Sequence, residues 1–194
     1  VIKSKHKKNP PLLFSIDTLI IEANKKFSFT GKETLDIAQS LYEKKLTSYP
    51  RPDNEYINQE NFNNLKSFLS HFSEKLLDKN FSFSNKTPKS VNDKKLTGSH
   101  DAIVPTGEFP ELNKLNDGEK KIFSLILRRC LQSFSEDAIY DKTKIIFVNR
   151  GIEFYTYASK LVDAGWKKFE LKNENFESED NGEEQSVEIN INEG

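Results

Sequence analysis

The sequence predicts an α+β protein, with a mainly helical domain followed by a partial antiparallel β segment. Two observations carry that reading. Up to about residue 134 the apolar residues recur at the i, i+3, i+4 and i+7 spacing of amphipathic helices. After that the period shortens: Lys144 to Val148 and Glu153 to Leu161 read as strands joined by Asn149-Arg150-Gly151. A third observation limits the core. Only 35% of the 194 residues are hydrophobic, and adding the 8 Gly still leaves the chain short of the roughly 45–50% typical of globular proteins. The 15 Phe are its main apolar reserve.

Each element has its own justification. Residues 1–11 are basic and end in Pro10-Pro11, which no helix runs through, so they form a linker or a strand. Ser15 is placed to cap a first helix, with Asp17 in its first turn. Ile16, Leu19, Ile20, Ala23 and Phe27 give that helix an apolar stripe. Thr30-Gly31 interrupts it. A second helix follows, with Thr34, Leu35, Ala38, Leu41 and Tyr42 on one stripe, and ends near Lys44-Lys45. The pair resembles a helix-turn-helix unit. Leu46 to Asn58 is a loop stiffened by Pro50 and Pro52. A third helix spans about Gln59 to Asp78, and residues 79–98 form a long polar loop. Asn116 caps a strong helix over about Asp117 to Phe134. Trp166 and Phe169 suggest one more short strand. From about residue 173 the chain is acidic and rich in Asn and Ser. It is a disordered tail or an orphaned strand, with Val187 to Ile191 alternating.

The formal net charge of −1 hides an asymmetry. Residues 1–51 carry ten Lys/Arg against five acids, and residues 171–194 carry eight acids against one Lys. That split suggests an anionic partner for the front and a solvated acidic end. A single Cys excludes a disulfide framework and a cysteine-rich zinc site. No apolar run approaches the roughly 18–20 residues of a membrane span, and the polar N-terminus has no signal-peptide pattern. A soluble protein of a reducing compartment is expected. No Met occurs, not even at position 1, so an excised piece of a longer protein is expected. There is no Gly-rich phosphate loop, dinucleotide fingerprint, Gly-x-Ser-x-Gly elbow, His-Glu-x-x-His or Asp-x-Asp cluster.

Three constellations have chemical potential. The first is Ser48-Tyr49-Pro50-Arg51-Pro52-Asp53. A phenol attacks phosphorus when a cation stabilises its charge, and an arginine binds phosphate through paired hydrogen bonds. Asp53 is placed to orient the Arg or accept a proton. On spacing alone, a half-buried loop tyrosine beside an exposed arginine is the commoner arrangement. The second runs from Ser99-His100-Asp101 to Gly107, where an imidazole sits at the lip of a buried segment and suits phosphate contact or proton transfer. A surface histidine is the plainer reading. The third is the decoration of the first two helices, where Lys25, Lys26 and Lys32 with Phe27 and Phe29 suit a nucleic-acid groove or a core edge with solvated lysines. The three His are too scattered for a His-only metal site.

Taken in order, these segments resemble a known family. Pro10-Pro11-Leu12-Leu13-Phe14 with Leu19 and Glu22-Ala23-Asn24 comes first, then Lys32 to Glu43, then Tyr49-Pro50-Arg51 with Asp53. His100 with Ala102 to Gly107, Leu115 to Arg129, Tyr140 and Gly165-Trp166 follow. Over roughly residues 10–170 this pattern is similar to the type IA DNA topoisomerases, nearest their topoisomerase III-like bacterial branch.

The resemblance implies a winged-helix/CAP-like helical domain over 12–134 that bears a nucleophilic tyrosine. It further implies a β segment of an arch domain over 135–172, after a basic linker or strand over 1–11 and before an acidic tail over 173–194. It implies cleavage and rejoining of one DNA strand through a transient 5′-phosphotyrosyl link, with no nucleotide cofactor. Tyr49 is then the nucleophile, Arg51 stabilises the phosphate, Asp53 supports the loop and His100 contacts the scissile region, with Lys25, Lys26 and Lys32 on nucleic acid. The magnesium of the parent, and the acidic N-terminal domain that binds it, lie outside this chain, and no metal ligand is expected within it. Single-stranded DNA and that domain are the implied partners, without membrane or small-molecule substrate, in the bacterial cytoplasm. The isolated chain is expected not to cleave DNA. Two departures stand out: Pro52-Asp53-Asn54 replaces the usual Thr-Asp-Ser, and Ile20 stands where a Gln is frequent. The alternative is a non-catalytic helix-turn-helix or winged-helix DNA-binding module.

Overall fold

Three of the helices begin with reciprocal capping boxes, and these fix where the chain turns. Ser15 and Thr18 close the start of α1 (Ile16–Phe27), and Thr30 and Glu33 close the start of α2 (Gly31–Glu43). Asn116 and Glu119 close the start of α4 (Asp117–Ser133). Each box satisfies backbone N–H groups that a helix leaves without internal partners. The computed structural model describes residues 1–76, 83–96, 100–108 and 110–170. Between α2 and α4 lies α3 (Gln59–Leu76), whose predicted final residues fall outside the described ones.

The chain divides into two units, Pro10–Glu136 and Val1–Asn9 with Asp137–Gly194. In the first, α4 is the central helix. Ile122, Phe123, Leu125, Ile126, Leu127, Cys130 and Leu131 are all buried, so its apolar surface runs nearly all round. α1 packs Leu19 and Ala23, and α2 packs Thr34, Ala38 and Leu41, into the same core. Phe14, Ile57, Leu69, Ile103 and Phe134 complete it.

The second unit is an antiparallel sheet in the order β1-β2-β3, built from β1 (Ile2–Lys8), β2 (Ala138–Asn149) and β3 (Ile152–Asp163). The basic start of the chain is thus a strand. Its lysines lie along β2, with Lys3 opposite Thr143 and Lys5 opposite Asp141. β2 and β3 are longer than the sequence pattern suggests. They meet at a two-residue turn in which Arg150 and Gly151 both have positive φ, 49° and 79°. That geometry matches the right-handed twist of the flanking strands. The short strand predicted around Trp166 and Phe169 is instead a 3-10 helix, Gly165–Phe169. Trp166 packs on Ala138 and Tyr140 while its indole N–H donates to the Lys8 carbonyl at 3.0 Å. An amphipathic aromatic with its own hydrogen bond needs no strand to be held there. The acidic tail, including Val187 to Ile191, lies outside the described residues.

Candidate active site

The loop that carries Tyr49 hangs from the end of α2, and that end is fastened twice. Lys45 adopts the left-handed conformation at φ 60°. Its N–H donates to the Tyr42 carbonyl at 2.8 Å, and the Leu46 N–H donates to the Leu41 carbonyl at 3.0 Å. This is a Schellman closure with Lys where Gly is usual, and the buried Leu46 and Leu41 supply its apolar contact. The second fastening is Glu119, whose side chain is 2% exposed. Lys44 Nζ lies 2.7 Å from each carboxylate oxygen, the Ser40 hydroxyl donates at 2.6 Å, and the Asn116 N–H donates at 3.0 Å. Burial pushes this carboxyl up, but the Lys44, Ser40 and Asn116 donors outweigh it and hold it below the ordinary carboxylate range.

From there the loop is laced to the segment that follows His100. The Ser48 N–H donates to the Val104 carbonyl at 2.8 Å. The Ser48 hydroxyl accepts from the Val104 N–H at 3.0 Å and donates to the Ala102 carbonyl at 2.9 Å. Thr106 closes the far end, its N–H donating to the Leu46 carbonyl at 3.1 Å and its hydroxyl to the Lys45 carbonyl at 2.6 Å. On its other side the same segment donates from Ile103 N–H to the Phe14 carbonyl at 2.8 Å.

Asn54 braces the second half of the loop. This buried amide donates from Nδ2 to the His100 carbonyl at 2.7 Å and accepts the Tyr56 N–H at Oδ1, 3.0 Å. The Pro52 carbonyl accepts the Ile16 N–H at 3.1 Å, satisfying one of the open donors in the first turn of α1. Pro52 has no backbone donor to give, and the structure uses its carbonyl instead.

The outcome is a held aromatic pair. The rings of Tyr49 and His100 stack with centroids 4.1 Å apart and planes at 25°. Tyr42 meets Tyr49 edge-on at 6.0 Å and 89°. Tyr49 is half-buried, whereas His100, Arg51 and Asp53 are exposed. Residues 49 and 100, separated by a third helix and a long loop, are thereby in contact, while Arg51 and Asp53 lie on the solvent side of the same loop. Lys25 and Lys32 are exposed at the end of α1 and the start of α2, and Lys26 pairs with Glu22 at 3.7 Å. Ile20 lies beside Gly31, in ordinary contact with the space a Cβ would fill there.

Sequence reasoning missed three participants. Tyr42 had been absorbed into the apolar stripe of α2, although it precedes Tyr49 by seven residues. Lys121 on α4 lies 5.6 and 5.7 Å from the ring centroids of Phe27 and Phe29, which nothing in its local pattern announces. Arg129 sits 4.0 Å over the Phe14 ring, and its guanidinium donates to the Leu12 carbonyl at 3.3 Å. Among the described residues no group of three or more His, Cys, Asp or Glu is placed to hold a metal ion. No described helix is long and apolar enough to cross a membrane.

The site is a tyrosine on a braced loop, stacked on a histidine, within the helical unit. A protein-family model described as DNA topoisomerase matches residues 1–194. The DNA topoisomerase 3 of Vibrio cholerae is 34% identical over 83% of this chain, and that of Bacillus subtilis is 36% identical over 92%. The DNA topoisomerase 1 of Pyrococcus horikoshii is 35% identical over 84%. The full-length topoisomerase I structure from Thermotoga maritima superposes over 89% of the chain and 29% of its own length, with a TM-score of 0.65 at 26% identity. The chain belongs to the DNA topoisomerase family. It spans about a quarter of the length of these curated relatives, 26% for the Vibrio protein and 25% for the Bacillus one.

Proposed function

We propose that this chain is the tyrosine-bearing part of a type IA DNA topoisomerase that cleaves and rejoins one strand of DNA. The observation that carries the reading is the Tyr49–His100 stack on a loop hydrogen-bonded along both halves. In the cleavage step the Tyr49 hydroxyl oxygen attacks a backbone phosphorus. An oxygen–phosphorus bond forms, and the bond from phosphorus to the 3′ oxygen of the preceding nucleotide breaks. The phenol proton leaves to solvent or a neighbouring base, and the departing 3′ oxygen takes up a proton to become a hydroxyl. The strand downstream stays linked through its 5′ phosphate. Attack by the 3′ hydroxyl reverses every bond change, so rejoining needs no external energy.

His100 orients the phenol through the stack and contacts the scissile phosphate. Arg51 neutralises charge on that phosphate, because a guanidinium binds two of its oxygens at once. Asp53 supports the loop, and Lys25, Lys26 and Lys32 contact the DNA backbone. In this reading the helical unit is winged-helix/CAP-like, residues 135–172 belong to an arch, and single-stranded DNA is the substrate. Magnesium and the acidic N-terminal domain that holds it are supplied by other parts of the parent, which works in the bacterial cytoplasm, so the isolated chain does not cleave DNA.

The test is relaxation of negatively supercoiled plasmid by the full-length parent. Tyr49→Phe is expected to abolish relaxation while single-strand binding stays within about twofold. Retained relaxation removes Tyr49 from its role. Intact binding with no relaxation by the unaltered parent favours a non-catalytic DNA-binding module.

A further inference from the structure

The two faces of the β1-β2-β3 sheet differ in chemistry. Opposed residues of antiparallel strands share a face. On one face Trp166 covers only the end that holds Ala138 and Tyr140. Beyond it the same face carries Lys142, Lys144, Ile146 and Val148 of β2 and Glu153, Tyr155 and Tyr157 of β3, with Lys144 opposite Tyr157 and also opposite Ile2 of β1. Tyr155 is 64% exposed and Tyr157 50%. Their rings are 5.6 Å apart at 69°, and Lys144 Nζ lies 4.8 Å from one centroid and 5.8 Å from the other. The opposite face, at the same end of the hairpin, carries Phe147, Ile152 and Phe154 and no charge.

Two neighbouring exposed phenol rings thus flank one lysine. An apolar protein partner would suit the Phe147 face, but on the tyrosine face it would bury the ammonium groups of Lys142 and Lys144 at a cost. An anion that also offers flat apolar surfaces suits the tyrosine face. Single-stranded nucleic acid has both: bases stack on aromatic rings, and phosphates are neutralised by lysines. Duplex DNA keeps its base faces hidden and gains only the charge.

We propose that this face is a single-stranded DNA platform, with bases stacked on Tyr155 and Tyr157 and phosphates held by Lys142 and Lys144. The proposal rests on the DNA-cleaving reading above and adds a second contact for the strand, on a unit that does not carry Tyr49.

The experiment measures fluorescence anisotropy of fluorescein-labelled (dT)20 with the 194-residue chain. Tyr155→Ala with Tyr157→Ala is expected to weaken Kd at least about tenfold. Tyr155→Phe with Tyr157→Phe, which keeps the ring faces, should stay within about twofold and guards against a folding defect. Lys144→Gln should lower the slope of log Kd against log salt by about 0.7. Unchanged affinity of the alanine pair overturns the platform, as does equal competition by a duplex of the same length or a preference for (rU)20. If the chain binds (dT)20 and only Lys25→Gln, Lys26→Gln and Lys32→Gln weaken it, the platform falls and the tyrosine-unit reading stands. No binding at low salt by the unaltered chain removes the platform and leaves the reading of Tyr49, which is tested in the full-length parent.

Discussion

Glu119→Ala tests how the tyrosine loop is anchored. The carboxylate joins the N-terminus of α4 to the C-terminus of α2 through four contacts, to Lys44 twice, Ser40 and Asn116. Removing it opens the capping box, which costs about 1 kcal/mol. It also strips a part-buried hydroxyl of a charged acceptor, about 1 kcal/mol more. Lys44 is 40% exposed, so it turns to water rather than being stranded, and the ion pair contributes about 0.5–1 kcal/mol. The expected loss is about 2–3 kcal/mol, a fall in Tm of about 8–10 °C for a unit of this size. Scanning calorimetry and urea titration of the chain measure it, and Glu119→Gln should lose about half as much. In a double-mutant cycle with Lys44→Ala the coupling should be about 0.5–1 kcal/mol. Because the folded carboxyl titrates below its ordinary range, its contribution is complete above the unfolded pKa of about 4.3 and is lost as pH falls through the folded value. The difference between the unaltered chain and Glu119→Gln should therefore be flat from about pH 7 to 5 and shrink at lower pH. A loss for Glu119→Ala below about 0.5 kcal/mol, or a difference that grows on acidification, would show that Glu119 does not anchor the loop.

Other expectations follow from the same geometry. Asn54→Ala should destabilise by about 1–3 kcal/mol, because it leaves the His100 carbonyl and Tyr56 N–H unpaired, and denaturant titration measures it. Gly151→Val should destabilise by about 1–2 kcal/mol although nothing lies within 4 Å of its Cβ position, since φ is +79°. Thermal melts of the chain read that loss. The Cys130 thiol is fully buried, which pushes its pKa up strongly, so it should resist alkylation in the folded chain and react only in denaturant, as mass spectrometry would show.

Helices were the most legible part of the sequence because caps and apolar period coincide. Ser15 and Asn116 mark two starts and are caps in the structure, and Thr30, legible in sequence only as an interruption, caps the third. The strands were legible in kind but not in length. β2 begins at Ala138, six residues before the Lys144 to Val148 run that the sequence makes obvious, because Tyr140 and Ala138 are buried by Trp166 rather than by a local pattern. That packing also explains why Trp166 read as a strand residue: its burial comes from a tertiary contact, and the aromatic pair says nothing about backbone period. Tyr49 and His100 were each visible as candidates. Their contact was not, because it depends on Ser48 and Asn54 lacing segments 54 and 46 residues apart. Asn54, seen in sequence only as a departure from a familiar pattern, is the brace itself.

In the proposed cleavage step Tyr49, and no neighbouring tyrosine, forms the covalent link to DNA. Tyr42 is the sharpest control, since its ring lies 6.0 Å from that of Tyr49 and it is more exposed. The decisive measurement traps the cleavage complex of the full-length parent on a labelled single strand, digests it with protease and nuclease, and locates the nucleotide-bearing peptide by mass spectrometry. A 5′-phosphoryl adduct is expected on Tyr49, absent in Tyr49→Phe and persisting in Tyr42→Phe. An adduct on Tyr42, or one that survives Tyr49→Phe, would contradict that assignment.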